Sequence, residues 1–214
     1  MLQPTEFPII RKTDRDLEIP VFHEFLERNK GKFESVLDVG AHYSIEYYAK
    51  DLRNFAKKYW ALDPLVDFRL VPLVDWFYKS TIQNYKGEPP DLISCLSVIE
   101  HIGSYPEPVM DIEGAQDEAF EKMLKLAKKM MWISFPVGLS GGVPAELMLI
   151  TKSQLDHWKA LCADFHVEIG YYWSDGPQAG EPWRPSSEEV CFAQPYDEKK
   201  GTRALCVMEI YKGT

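Results

Sequence analysis

The chain has 214 residues, which suits one domain of ordinary to large size. Its 45% hydrophobic content is enough for a core that needs no disulfide or metal staple. The formal net charge of −9 repels the phosphates of nucleic acid and anionic lipid, so the composition excludes neither fold class nor enzyme but argues against both of those partners.

In chain order, residues 1–18 carry Pro4 and Pro8 in a mixed context and read as an irregular N-terminal arm. The stretch "IPVFHEFLERNKGK" predicts a helix, with Pro20 in its first turn, Phe22, Phe25 and Leu26 on one face and Gly31 as the stop. "FESVLDVG" predicts a strand. "SIEYYAKDLRNFAKKY" predicts one continuous helix with Ile45, Tyr48, Ala49, Leu52, Phe55 and Ala56 along its stripe. "YWALDP" is a second strand, and residues 65–90 have room for a third strand and a short helix. "DLISCLSVIEHIG" is a strand. "DIEGAQDEAFEKMLKLAKK" is an amphipathic helix, acidic at its start and basic at its end, which matches the helix dipole. "MMWISFPVG", "HVEIGYYW" and "RALCVMEIYK" are strands, and "TKSQLDHWKALCADF" is a helix.

Strands alternating with helices predict an α/β fold with a mainly parallel sheet covered on both faces. The last two strands lack a full helix between them and are expected to pair antiparallel. The long segment 174–202 joining them exceeds a plain connection and reads as a lid loop, with residues 19–214 forming a single domain. The four cysteines, Cys95, Cys162, Cys191 and Cys206, form no C-x-x-C pair, so the spacing offers no metal centre or disulfide framework. No run approaches a membrane span and the N-terminus lacks the apolar stretch of a secretory leader, so a cytoplasmic protein is expected.

An alternating sheet takes its ligand beyond the carboxyl ends of its strands. The first strand ends "LDVGAHYS", where Gly40 lets backbone approach a ligand. The second ends at Asp63, whose carboxylate can accept both hydroxyls of a ribose, and the Gly40–Asp63 separation is close to the ~20 residues such a pair needs. The same residues have plainer readings: Asp38 as a turn cap and Asp63 as the start of an Asp-Pro turn.

The succession "VLDVGAHYS", "WALDP", "DLISCLSVIEHIG" and "MMWISFPVG" resembles the class I S-adenosylmethionine-dependent methyltransferases, in the branch acting on small molecules, and "SVIEHIG" with "MWISFPVG" resembles a branch associated with sugar gene clusters. The resemblance runs from about residue 20 to the C-terminus. It implies a Rossmann-like three-layer sandwich with seven strands, the last antiparallel, and S-adenosyl-L-methionine as cofactor. It further implies that Asp38 accepts from the methionine amino end, that Gly40, Ala41 and His42 bring backbone to the cofactor, and that Asp63 holds the ribose. Pro64 and Leu65 would lie beside the adenine, Asp75 near its amine, and Ser97 and Val98 on the sulfur side. Glu100 and His101 would face the substrate mouth. The family prefers glycine where this chain has His42 and Ser44.

An imidazole titrates close to neutral pH, so His101, beside Glu100, is a candidate base for a hydroxyl acceptor; the alternative is a turn residue bonded to backbone. Trp183 and Arg184 in "GEPWRPSS" either close over a substrate or anchor their loop on the sheet. The sequence lacks the N/D-P-P-aromatic box of amino-methylating enzymes, "FPVG" being the nearest match, which favours an oxygen acceptor on a small molecule. The expected function is therefore methyl transfer to a small molecule. A non-catalytic relative of the same fold is the alternative suggested by His42 and Ser44. A nicotinamide-dependent oxidoreductase ranks last, because "GAHYSI" fails the G-x-G-x-x-G pattern at both later glycines.

Overall fold

The apolar run after residue 34 becomes β1 (Ser35–Val39), buried at every position as a strand covered on both faces must be. The computed structural model describes residues 13–103, 114–139, 148–197 and 200–213; residues 1–12 of the expected arm and the beginning of the "DIEG" helix pattern lie outside them. The other strands are β2 (Lys58–Leu62), β3 (Trp76–Tyr78), β4 (Leu92–Leu96), β5 (Met130–Pro136), β6 (His166–Trp173), β7 (Arg184–Pro185) and β8 (Ala204–Tyr211). They form one sheet of order β3-β2-β1-β4-β5-β8-β6-β7. β1 to β5 are parallel, and β8 lies antiparallel between β5 and β6. The sheet thus has eight strands rather than seven, because two residues of the long late segment add β7 to the edge of β6.

Helices α1 (Arg15–Arg28) and α2 (Ala49–Phe55) cover one face of the sheet, packing Leu17, Phe22, Phe25 and Leu52 against Val36, Leu92, Leu96 and Trp132. Helices α3 (Ala115–Leu126), α4 (Lys152–Leu161) and α5 (Glu188–Phe192) cover the other, packing Phe120, Met123, Leu155, Trp158 and Phe192 against Leu37, Ile93, Ile133 and Met208. Phe120 and Trp158 stack at 4.4 Å and fix α3 on α4. Thr151 starts α4 by accepting the Gln154 N–H, the N-cap role of a β-hydroxyl.

The two faces differ in kind. The α3/α4 face is an apolar cluster, whereas the α1/α2 face buries Asp38, Ser94, Ser134 and Glu18 along neighbouring strands. Asp38 and Ser94 are register partners, and the Ser94 hydroxyl donates to Asp38 Oδ1 at 3.0 Å. Cys95, Cys162, Cys191 and Cys206 are free thiols, each buried in a different element or at its end.

Three expectations change. Helix α1 starts at Arg15, not Ile19, because Leu17 and Glu18 are drawn under the sheet; residues 13–18 therefore belong to the fold rather than to an arm. Pro20 consequently lies inside the helix, with its ring on the exposed side. The helix expected over 44–59 is broken. A 3-10 turn (Ala41–Glu46) comes first, and α2 begins only at Ala49, because Tyr47 and Tyr48 leave helical angles. Tyr48 instead sends its hydroxyl to Asp38 Oδ1 at 3.3 Å. In residues 65–90 only β3 forms, the remainder being turns. No helix among the described residues is long and apolar enough to cross a membrane.

Candidate functional site

At the carboxyl ends of β1 and β2 the two motif ends meet. Gly40 N–H donates to Leu62 O at 2.9 Å and His42 N–H donates to Asp63 Oδ2 at 3.0 Å. Gly40 is required twice over: its φ is +77°, and a Cβ there would lie 2.1 Å from Val98 Cγ2. Asp63 Oδ1 accepts the Leu65 N–H at 2.7 Å, an Asx turn that leaves Pro64 and Leu65 as an exposed apolar shelf beside the carboxylate. Burial raises the Asp63 carboxyl, and the two backbone donors pull it back. The His42 ring is half-buried near Asp63, and its Nδ1 is buried without a hydrogen-bond partner. Ser44 does not reopen the glycine turn; its hydroxyl closes the 3-10 turn by donating to Ala41 O at 2.8 Å.

Asp38 lies one layer below this surface and is fully buried. Besides Ser94, the hydroxyls of Tyr48 and Tyr59 each reach it at 3.3 Å. Burial pushes its pKa up to about 7, against the pull of those donors.

At the carboxyl ends of β4 and β5 the site is built from charged groups of α1. Arg15 Nη1 donates to Glu18 Oε2 at 2.7 Å and to Leu96 O at 3.1 Å, and its guanidinium lies 5.7 Å from the centre of the Tyr47 ring. Glu18 is fully buried; it also accepts from Ser134 Oγ at 2.5 Å and from Ser97 Oγ. Burial pushes Glu18 up while Arg15 draws it down, and Glu18 and Asp14 keep the buried guanidinium charged. Ser97 is held at φ 45°, a left-handed conformation that costs a non-glycine residue about 1–2 kcal/mol. Arg15 and Glu18 carry this part of the site, and neither figured among the candidates read from the sequence.

Glu100 and His101 follow on a 3-10 turn (Ile99–His101). Glu100 is buried, with Oε2 unpartnered, and burial, reinforced by Glu18 and Asp14, holds its carboxyl well above the usual range. His101 is partly exposed, and its Nε2 lies 3.9 Å from Glu100 Oε1, beyond hydrogen-bond distance.

Two other placements differ from expectation. Asp75 stands at the amino end of β3, where it accepts Tyr59 N–H at 2.8 Å and Arg53 Nη1 at 2.6 Å. It is therefore at the opposite end of the sheet from Asp63 and cannot approach an adenine there. The carboxyl end of β3 is Tyr78, whose carbonyl accepts the Asp63 N–H at 3.1 Å, so Lys79 and Ser80 occupy the place Asp75 was expected to fill. Trp183 is fully buried on the α1 side, and its indole donates to Thr13 O at 3.3 Å; it buttresses the start of α1, the anchor alternative, rather than closing over an open cleft. Arg184 is exposed on β7. The 174–202 segment packs down through Pro177, Trp183, Cys191 and Phe192 instead of standing free as a lid. Among the described residues no group of three or more His, Cys, Asp or Glu side chains could hold a metal ion.

No family model matches the chain, and no curated protein matches it. Solved structures do. The N-methyltransferase NodS from Bradyrhizobium japonicum superposes with a TM-score of 0.57 at 10% identity, over 94% of this chain and 100% of that one. A SAM-dependent methyltransferase from Archaeoglobus fulgidus gives 0.55 at 14%, over 92% and 94%. The magnesium protoporphyrin IX methyltransferase ChlM from Synechocystis, solved with bound SAM, gives 0.54 at 11%, over 91% and 78%. At these identities the likeness is one of fold: the chain has the Rossmann-like architecture of SAM-dependent methyltransferases.

Proposed function

We propose that the chain is an S-adenosyl-L-methionine-dependent methyltransferase acting on a small molecule, with oxygen as the acceptor atom. The observation that carries the reading is the contact between the Gly40 turn and Asp63 at adjacent strand ends of a methyltransferase fold. The adenosine end fits the cofactor. Asp63 would take the ribose hydroxyls, the unpartnered Nδ1 of His42 would gain a partner, and Pro64 and Leu65 offer an apolar shelf for the base. Asp38 contributes by holding Tyr48 and Tyr59 beneath the turn rather than by touching the ligand.

The cofactor supplies a methyl group on a sulfonium, already a good leaving group. The protein's part is to position the acceptor and exclude water. His101 stands at the mouth to take the acceptor's proton, and Glu100, whose carboxyl is pushed up by burial, lies beside it. Ser97 and Val98 form the wall between the two ends, with Val98 packed on Gly40.

A non-catalytic binding protein of the same fold is the second reading, favoured by that same Val98 contact and by the sealing of Asp38. The oxidoreductase alternative does not match the sheet, because an antiparallel strand separates β5 from β6 where the dinucleotide fold runs parallel. Calorimetry with S-adenosylmethionine and S-adenosylhomocysteine tests the proposal. Binding is expected for both, and Asp63→Ala should weaken it by about 1–3 kcal/mol with an unchanged far-ultraviolet spectrum. Absence of heat with either ligand at millimolar concentration would reject the cofactor site and leave the non-catalytic reading.

A further inference from the structure

A groove also lies along the outer edge of the sheet. It has a volume of about 520 Å³ and runs along β3 and residues 84–87, within the ~300–1,000 Å³ typical of small-molecule sites. The groove exists because the crossover from β3 to β4 contains no helix, so nothing covers this end of the α3/α4 face. Trp76 is left 61% exposed, whereas Trp60, Trp132, Trp158 and Trp183 are buried and Trp173 is half-buried.

Its walls are aromatic. Trp76 and Tyr78 point to one side of β3 with ring centres 6.3 Å apart, and Tyr78 meets Tyr85 edge-on at 4.8 Å. The floor is set by Gly87, where a Cβ would lie 2.4 Å from the Tyr85 hydroxyl oxygen and 2.6 Å from that of Tyr78. Tyr85 is itself fixed by donating to Glu88 O at 2.9 Å. The rim carries Lys79 and Lys86, both exposed and, among the described residues, without an ion-pair partner. The nearby acids are occupied: Asp75 by Arg53 at 2.6 Å and Glu88 by Lys58 at 3.5 Å. The groove is thus locally positive on a chain of net charge −9.

An exposed indole face flanked by free ammonium groups recognises a flat ring joined to an anion. The amide of Asn84 and the hydroxyl of Ser80 add hydrogen-bonding groups for the edge of that ring. We infer that this groove binds a nucleotide, with the base stacked on Trp76 and the phosphate between Lys79 and Lys86. The groove adjoins the Asp63 cleft, because Tyr78 O accepts the Asp63 N–H at 3.1 Å, but its aromatic wall lies on the outer edge of the sheet and the inference does not depend on the methyltransferase reading.

The test is calorimetric titration of uridine 5′-monophosphate, uridine and ribose 5-phosphate into the full chain, into Trp76→Ala and into the double variant Lys79→Glu/Lys86→Glu. All three side chains are exposed, and unchanged circular dichroism and melting temperature would confirm that the variants fold. The mononucleotide is expected to bind, each variant to weaken it about tenfold or more, and each half-ligand to bind about tenfold more weakly than the whole. Saturating S-adenosylhomocysteine should leave the affinity unchanged. Absence of binding at millimolar nucleotide, wild-type affinity retained in either variant, equal affinity for uridine, or displacement by S-adenosylhomocysteine would each overturn the inference.

Discussion

The two faces of the sheet solve different problems. Under α3 and α4 the packing is chiefly apolar, with a small polar junction where Trp158 Nε1 and Gln154 Nε2 donate to Asp117 Oδ1. Under α1 and α2 a line of buried polar groups runs from Asp38 through Ser94 and Ser134 to Glu18, and reaches the strand ends where the candidate site lies. Burying such groups costs stability unless every one is paired. A fold that gathers most of them on one face has concentrated its polar cost beside the cleft. The contrast gives the α1 face the character of a site and the α3 face that of a support.

The largest effects should separate these two kinds of core. Phe120→Ala empties a fully buried ring position stacked on Trp158 and is expected to cost about 3–5 kcal/mol in urea unfolding. Glu18→Ala should cost about 3 kcal/mol for an unlike reason, since it leaves the half-buried Arg15 guanidinium without its carboxylate. The double variant Arg15→Met/Glu18→Leu should recover most of that loss. If Glu18→Ala and the double variant were equally unstable, packing rather than charge would dominate on both faces, and the contrast would fail.

Asp38 sharpens the comparison through pH. Its folded pKa of about 7 lies above the ordinary carboxyl range, so between the two values the native state holds a proton that the unfolded chain releases. Stability is therefore greatest below about pH 4 as far as this group is concerned, and falls as pH rises to 7, by as much as about 4 kcal/mol. Buried Glu18 and Glu100 are shifted in the same direction. Unfolding followed from pH 5.5 to 8 should show wild type losing stability, Asp38→Asn losing less, and Phe120→Ala retaining the wild-type slope. A slope unaltered by Asp38→Asn would remove this residue from the titration.

A smaller effect is expected at the junction of the two strand ends. Gly40→Ala places a β-carbon at positive φ and against Val98, for a cost of about 1–3 kcal/mol. Adding Val98→Gly, which also removes the Val98 Cβ that would lie 2.8 Å away, should return the steric part and leave the conformational part. Full recovery would show that the turn itself tolerates a side chain.

Much of this was readable in advance. The strands announced themselves as short apolar runs, and the meeting of Gly40 with Asp63 followed from the order of the strand ends. The pair Arg15 and Glu18 was not read, because charges at a helix start resemble a solvated first turn. The available signal was Glu18 standing three, four and seven positions before Val21, Phe22 and Phe25, which puts a carboxylate on the buried stripe. Asp75 was misplaced because a three-residue strand has no periodicity with which to locate its two ends. Tyr48 fitted a helical stripe by spacing, yet its hydroxyl bond to Asp38, a tertiary contact, goes with the break in that helix.

The four thiols carry a last consequence. Burial raises Cys95 and Cys206 far above the ordinary range and Cys162 and Cys191 to about 11. None offers an accessible thiolate while the fold is closed, and only the thiolate attacks an alkylating or disulfide reagent. They sit in β4, at the end of α4, in α5 and in β8, the last two as neighbours. Alkylation of the native chain is therefore governed by transient openings, and the thiols record the opening of three separate parts of the architecture within a single molecule.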